Sequence, residues 1–218
     1  MSTQPIFLRE ENRESQEEVL LCMMQDQGTN QTEKIILGVD PGTRIAGYGV
    51  IRIIGQRIEL IQYGVLKLDK YNSHELKLKK IYDRITQLIE EFLPDEMAIE
   101  DPFYGKNPQS MLKLGRAQGV AMAAALNRDI PIVEYSPKTV KMSVTGSGNA
   151  SKEQVAYMLQ SILKQELQPE YLDATDAVAI AICHHYHANA LPSAAAKKKG
   201  AKKGGWSAFV SENPKRVK

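Results

Sequence analysis

Four carboxylates stand where an apolar element starts or stops. Asp40 closes the run Ile35-Ile-Leu-Gly-Val39, and Glu100 closes Met97-Ala-Ile99. Asp173 and Asp176 open a stretch that continues as Ala177-Val-Ala-Ile-Ala-Ile182. A carboxylate at the edge of a core is costly unless it is paired or bound to a cation. Such hard oxygen donors suit Mg²⁺ or Mn²⁺. Four of them carry about the charge that two divalent ions balance, as two-metal hydrolysis of a phosphodiester requires. Each acid also has a plainer reading. Asp-Pro-Gly is good turn chemistry, Ile-Glu-Asp-Pro can be a strand leaving the core, and an aspartate is a preferred helix N-cap. One cap does not need two aspartates, however, and residues three apart share a helix face. A shared cation site explains all four at once.

The surrounding pattern supplies the elements that must hold these acids. Residues 35–40 form a short continuous apolar run, as expected of a strand buried on both faces. Ala46–Ile54 and the alternating Ile58–Leu68 follow after short Gly-containing loops, which predicts hairpin connections. The period then changes: Leu78, Ile81, Ile85, Leu88, Ile89 and Phe92 fall on one helical face. Residues 96–100 form a strand, Asn107-Pro108 caps a helix running to Asn127, and residues 131–135 form a fifth strand. A short helix over 138–144 breaks at Thr145-Gly-Ser-Gly148. Ser151-Lys-Glu-Gln154 is a capping box for the next helix, and a last helix runs from Asp173 to about His187. The order β-β-β-α-β-α-β-α-α-α predicts a five-stranded mixed sheet with helices on both faces.

Composition bounds the partners. The 218 residues and 43% hydrophobic content suffice for one real core. The formal charge of +2 hides an uneven distribution. Residues 1–33 hold two basic against seven acidic side chains, a net −5, and are expected to be a disordered extension. Residues 191–218 hold eight Lys or Arg against Glu212, a net +7, and read as a flexible basic tail. The ordered domain is therefore 34–190. Cys22 and Cys183 have no metal-clip spacing, and no signal peptide or spanning segment is visible, so a reduced, cytoplasmic setting is expected. His184, His185 and His187 read as last-turn residues that complement the helix dipole rather than as ligands. The small residues Gly115, Ala117, Gly119, Ala121, Ala123, Ala124 and Ala125 let the helix over 108–127 approach closely either the sheet or a second subunit.

Ile36-Leu-Gly-Val-Asp-Pro-Gly-Thr-Arg-Ile-Ala-Gly-Tyr-Gly-Val-Ile51 resembles the first block of the RuvC family of Holliday junction resolvases. Ala98-Ile-Glu100 with Phe103, Lys113-Leu-Gly115 with Gly119-Val120, Glu134-Tyr135 and Asp173-Ala-Thr-Asp-Ala-Val-Ala-Ile-Ala181 agree in order and spacing. The resemblance spans about residues 34–190. It implies an RNase H-like fold and a homodimer that nicks opposing strands of a four-way DNA junction, leaving 5′-phosphate and 3′-hydroxyl ends. It places the family's acidic tetrad, which is both catalytic and metal-binding, on Asp40, Glu100, Asp173 and Asp176, with two Mg²⁺ per site and Mn²⁺ as a substitute. It also gives Phe103 a stacking role at the junction, with Tyr104 as a lesser candidate. Lys141 and Lys152 become phosphate contacts near the scissile bond, and Lys106, Lys113, Arg116 and Lys138 become candidates for the DNA face. A branch-migration helicase complex and a nucleoid location follow from the resemblance alone.

A rival reading comes from another class. Asp40-Pro-Gly-Thr with Gly47-Tyr-Gly49 is also similar to the first phosphate loop of actin-like and sugar-kinase ATPases. Those proteins need a second lobe and a second phosphate loop, for which residues 34–190 leave no room. A junction binder without catalysis is a third reading. It gains nothing from concentrating four negative charges against phosphate.

Overall fold

The computed structural model describes residues 33–101, 107–167 and 172–189, with the side chains of Leu172, Asp173 and Asn189 excepted. The strands are β1 (Glu33–Asp40), β2 (Ile45–Ile54), β3 (Arg57–Lys67), β4 (Glu96–Glu100) and β5 (Ile132–Tyr135). The helices are α1 (His74–Phe92), α2 (Pro108–Leu126), α3 (Pro137–Thr145), α4 (Lys152–Leu163) and α5 (Leu172–Asn189). The expected element order is thus borne out. β1 begins at Glu33, one residue earlier than the expected domain edge. The rest of the acidic extension, 1–32, and the basic tail lie outside the described residues.

The sheet order is β3-β2-β1-β4-β5. β1, β2 and β3 pair antiparallel, while β1 with β4 and β4 with β5 are parallel. The sheet is therefore mixed, and its parallel strands share one C-terminal edge. Val39 pairs with Ile99, which leaves Asp40 and Glu100 side by side on that edge.

Alternation along the strands divides the core into two layers. Leu37, Val39, Val50, Met97 and Ile99 pack with Ile81, Ile85 and Leu88 of α1 and with Ala117, Ala121, Ala124 and Ala125 of α2. Ile36, Ile51, Ile53 and Ala98 face the other way, against Val140 of α3, Val155 and Leu159 of α4, and Val178–Cys183 of α5. Asp40 and Glu100 have the parity of Ile36 and Ala98, so they belong to the α5 side.

α5 lies unusually close to the sheet. Gly38 and Gly49 are cross-strand partners, and together they leave a trough under the helix. A Cβ on Gly38 would lie 2.1 Å from the Ala177 carbonyl oxygen, and one on Gly49 would lie 2.7 Å from Val178 Cγ2. With α3 and α4 packed over it, α5 is buried on nearly all sides from Ala174 to His185, which is why its sequence is apolar all round.

Caps fix where the other helices start. Asn107 accepts from the Gln109 and Ser110 amides, and Ser136 accepts from Thr139. Ser151 and Gln154 make the reciprocal capping box. Asn107 and the Ser151 box agree with the sequence reading, whereas the Ser136 cap starts α3 at Pro137, one residue before the expected Lys138.

The histidine assignment needs correction. Only His187 stands in the last turn of α5. His184 and His185 are buried. His184 Nδ1 lies 2.8 Å from the Tyr135 hydroxyl, and its Nε2 pairs with Glu96, which also holds Lys34 at 2.7 Å. Glu96 has the parity of Ala98 and so faces α5. The chain of contacts ties α5 to the opposite end of β4 from Glu100, and burial pushes the Tyr135 phenol up to about 12. The described residues up to His185 belong to one compact unit. Among the described residues no helix is long and apolar enough to cross a membrane.

Candidate active site

A cleft of about 250 Å³ opens at the shared strand edge, lined by Asp40, Glu100, Pro137, Val140, Lys141, Lys152, Val155, Asp176 and Ala179. Each polar member arrives by a different route. β1 and β4 end there in Asp40 and Glu100. The second turn of α5 delivers Asp176 because Gly38 lets the helix lie flat on the sheet, as Ala177 and Ala181 show by their contact with it. α3 and α4 present their first residues, Pro137 and Lys152. Their positive N-terminal ends favour anions nearby.

Three of the four expected acids and both expected lysines therefore share one cleft. Lys152 Nζ donates to Asp176 Oδ2 at 2.6 Å. Asp173 lies one turn before Asp176 in α5, with its side chain outside the described set. Phe103, Tyr104 and Lys106 fall in 102–106, also outside the described residues. Arg116 and Lys113 are exposed on α2 and do not line the cleft. Lys138, in the first turn of α3, packs its stem on Gly148 instead.

The electrostatics are those of a site short of positive charge. Burial raises the Glu100 carboxyl to about 7, and Asp176 adds to the rise, while Lys152 and Lys141 offset part of it. Near neutral pH Glu100 is thus only partly ionised. A divalent cation supplies what this environment lacks, and the donors are hard oxygens. Among the described residues, no three carboxylate, histidine or cysteine groups are gathered closely enough to enclose an ion. Asp176 is held by Lys152 as the site stands. The donor set and the charge deficit nonetheless fit a hard divalent ion.

The raised carboxyl carries a stability consequence. A carboxyl whose folded value exceeds its unfolded one is destabilising when charged. The cost is present in full above about pH 7 and gone below about 4.5. Without metal, Glu100→Gln should therefore be more stable than wild type at pH 8, by on the order of 2 kcal/mol. The advantage should vanish by pH 4.5. Thermal melts in chelator at both pH values check this; equal melting temperatures at pH 8 would contradict it.

Comparison with known proteins agrees with this geometry. Residues 36–184 match the family model described as crossover junction endodeoxyribonuclease RuvC. The chain belongs to the RuvC family. A RuvC protein of that description from Cytophaga hutchinsonii is 55% identical over 90% of this chain and 94% of its own length. One from Bacteroides fragilis is 56% identical over 85% of this chain and 97% of its own. Among solved structures, Thermus thermophilus RuvC in complex with a Holliday junction substrate is 30% identical with a TM-score of 0.67. The match covers 71% of this chain and 94% of that one. The RNase H-like fold, DNA-hydrolysing nuclease activity and action on four-way junctions follow with the RuvC family. The ATPase alternative, drawn from the same Asp40 motif, is not favoured.

Sequence reasoning missed several contributors. Gly38 and Gly49 set the depth of α5, yet a glycine within a strand pattern shows only a weak strand until the register is known. Val140, Val155 and Ala179 wall the cleft but read as ordinary core. Gln118, buried on α2, carried no signal at all.

Proposed function

We propose that the cleft is the nuclease centre, that Asp40, Glu100, Asp173 and Asp176 hold Mg²⁺ within it, two ions per site, and that Mn²⁺ can replace them. The observation that carries this is the convergence of Asp40, Glu100 and Asp176 on one cleft with Lys141 and Lys152. Bound divalent ions lower the pKa of the attacking water and neutralise charge developing on the phosphate and the leaving 3′-oxygen. The chain's own groups do the rest. With a cation in the cleft, Asp176 would hold it in place of Lys152, and the lysine would be left for the scissile phosphate. Lys141 and the N-terminal ends of α3 and α4 hold the same phosphate by charge. Val140, Val155 and Ala179 make an apolar wall that limits water. Cleavage leaves a 5′-phosphate and a 3′-hydroxyl.

Phe103 and Tyr104, three and four residues beyond Glu100 in sequence, stack on bases at the junction centre, a contact worth about 1–3 kcal/mol per base. Lys106, Lys113, Arg116 and Lys138 contact arm phosphates. A second copy of the chain docks on the outer face of α2. There Leu112 is 64% exposed, Leu126 is 59% exposed, and a Cβ on Gly115 or Gly119 would meet nothing. Ala117, Ala121, Ala124 and Ala125 of that helix are already buried in the core, while Ala123 is exposed. Two subunits related by a two-fold axis would then nick two opposing strands. The domain limits of 34–190, a basic tail that adds non-specific DNA affinity, and a helicase partner belong to the same reading.

The test is a synthetic mobile four-way junction with every strand end-labelled, incubated with and without Mg²⁺. Paired nicks at symmetric positions on opposing strands, dependent on metal, are expected. Metal-independent cleavage, or nicks on linear duplex at equal rate, would overturn the reading.

A further inference from the structure

Helix α2 touches the catalytic edge through one polar side chain. Gln118 is 7% exposed and lies among the buried alanines Ala117, Ala121 and Ala124. Its Nε2 donates to Glu134 Oε2 at 2.7 Å and to the Glu100 carbonyl oxygen at 3.4 Å. Glu134 lies on β5, beside Ile99 in the parallel ladder. One amide therefore joins three elements at the residue where β4 ends.

Nothing in ordinary packing requires a glutamine there. The neighbouring inward positions of α2 are all alanine, and a buried amide is costly unless its donors and acceptors are met. The ladder already pins the strand one residue further on, where the Asp101 amide donates to the Tyr135 carbonyl at 2.9 Å. The Gln118 amide adds a contact to the Glu100 carbonyl from the α2 side. We propose that Gln118 is a positioning residue for Glu100, with Glu134 as its anchor. The charged hydrogen bond to Glu134 fixes the amide, and the fixed amide restrains the backbone that aims the Glu100 carboxylate into the cleft. This rests on Glu100 being a metal ligand, as proposed above.

The inference has its own consequence for the free protein. Partners that orient a ligand typically matter by about 10–100-fold in metal affinity or activity. Gln118→Met keeps the volume and removes both hydrogen bonds. It should weaken Mn²⁺ binding by about that factor, measured by calorimetry without DNA. Single-turnover nicking at fixed Mg²⁺ should fall in step, with the junction Kd unchanged. Glu134→Leu should reproduce this loss. Glu134→Gln, which still offers the amide an oxygen, should retain most of both.

A folded Gln118→Met protein that binds Mn²⁺ like wild type would overturn the proposal. Should that variant fail to fold, the Glu134 pair decides: equal behaviour of Glu134→Leu and Glu134→Gln would overturn it. Glu100→Gln run in parallel separates the two levels. If Glu100→Gln loses Mn²⁺ binding while Gln118→Met does not, only the positioning role fails. If Glu100→Gln binds Mn²⁺ normally, the metal assignment itself fails.

Discussion

Asp40→Asn, Glu100→Gln, Asp173→Asn and Asp176→Asn should each abolish metal-dependent nicking while the protein still binds junctions. Each exchange keeps side-chain shape and removes one anionic oxygen donor. The stabilisation that a metal ion gives to transition-state charge amounts to several kcal/mol, so losses above about 100-fold in single-turnover rate are expected. Binding should survive, and even tighten slightly, because a negative charge facing DNA phosphates has gone. Gel-shift titration in chelator and nicking assays in Mg²⁺ measure the two separately. Near-normal rates in two of the four variants would remove those residues from the site.

The second large effect concerns a residue that touches no substrate. Gly38→Ala places a methyl group 2.1 Å from the Ala177 carbonyl oxygen and 3.0 Å from the Ala181 amide nitrogen. Those are backbone atoms of a buried helix and cannot swing aside as a flexible side chain would. α5 has to lift, at a cost of roughly 1–3 kcal/mol for overpacking, or more. Asp176 moves with the helix, and a displacement on the order of 1 Å in a catalytic group can lower a rate about 100-fold. A lowered melting temperature together with impaired nicking, and a junction Kd close to wild type, is the expected pattern. Unchanged nicking would show that the close helix–sheet contact does not set the position of Asp176.

Much of this was legible in the residues alone, for definite reasons. The apolar run before Asp40 and the change of period after Leu68 mark where strands give way to helix. Ser151-Lys-Glu-Gln154 fixes a helix start through hydrogen bonds its own side chains make. The acids stood out because each breaks an apolar pattern at its edge. What stayed hidden depends on register and on which residues meet across the sequence. The pairing of Gly38 with Gly49 becomes meaningful only once β1 and β2 are aligned. Glu96, Tyr135 and His184 form one largely buried cluster from three distant segments, and His184 and His185 look like a helix end unless one knows that α5 is covered on nearly all sides as far as His185. The small residues of α2 left two surfaces open, and the structure separates them: Ala117, Ala121, Ala124 and Ala125 are buried against the core, while Gly119 and Ala123 are exposed and a Cβ on Gly115 would meet nothing. Lys152 was matched as a phosphate contact, and its bond to Asp176 gives it a second part, as the counter-charge of an acid.

Under the proposed role, the stability cost of Glu100 and its use as a metal ligand pull in opposite directions. A carboxyl raised to about 7 by burial and by Asp176 is a poor structural choice and a good cation ligand. Lys152 and Lys141 offset part of the rise without removing it.

Crystals of the protein soaked in Mn²⁺, with anomalous difference maps, address the central claim most directly. Two peaks are expected in the cleft, within coordinating distance of carboxylate oxygens from Asp40, Glu100, Asp173 and Asp176, with Lys152 turned away from Asp176. Manganese found only outside the cleft, with Lys152 still bonded to Asp176, would contradict the account.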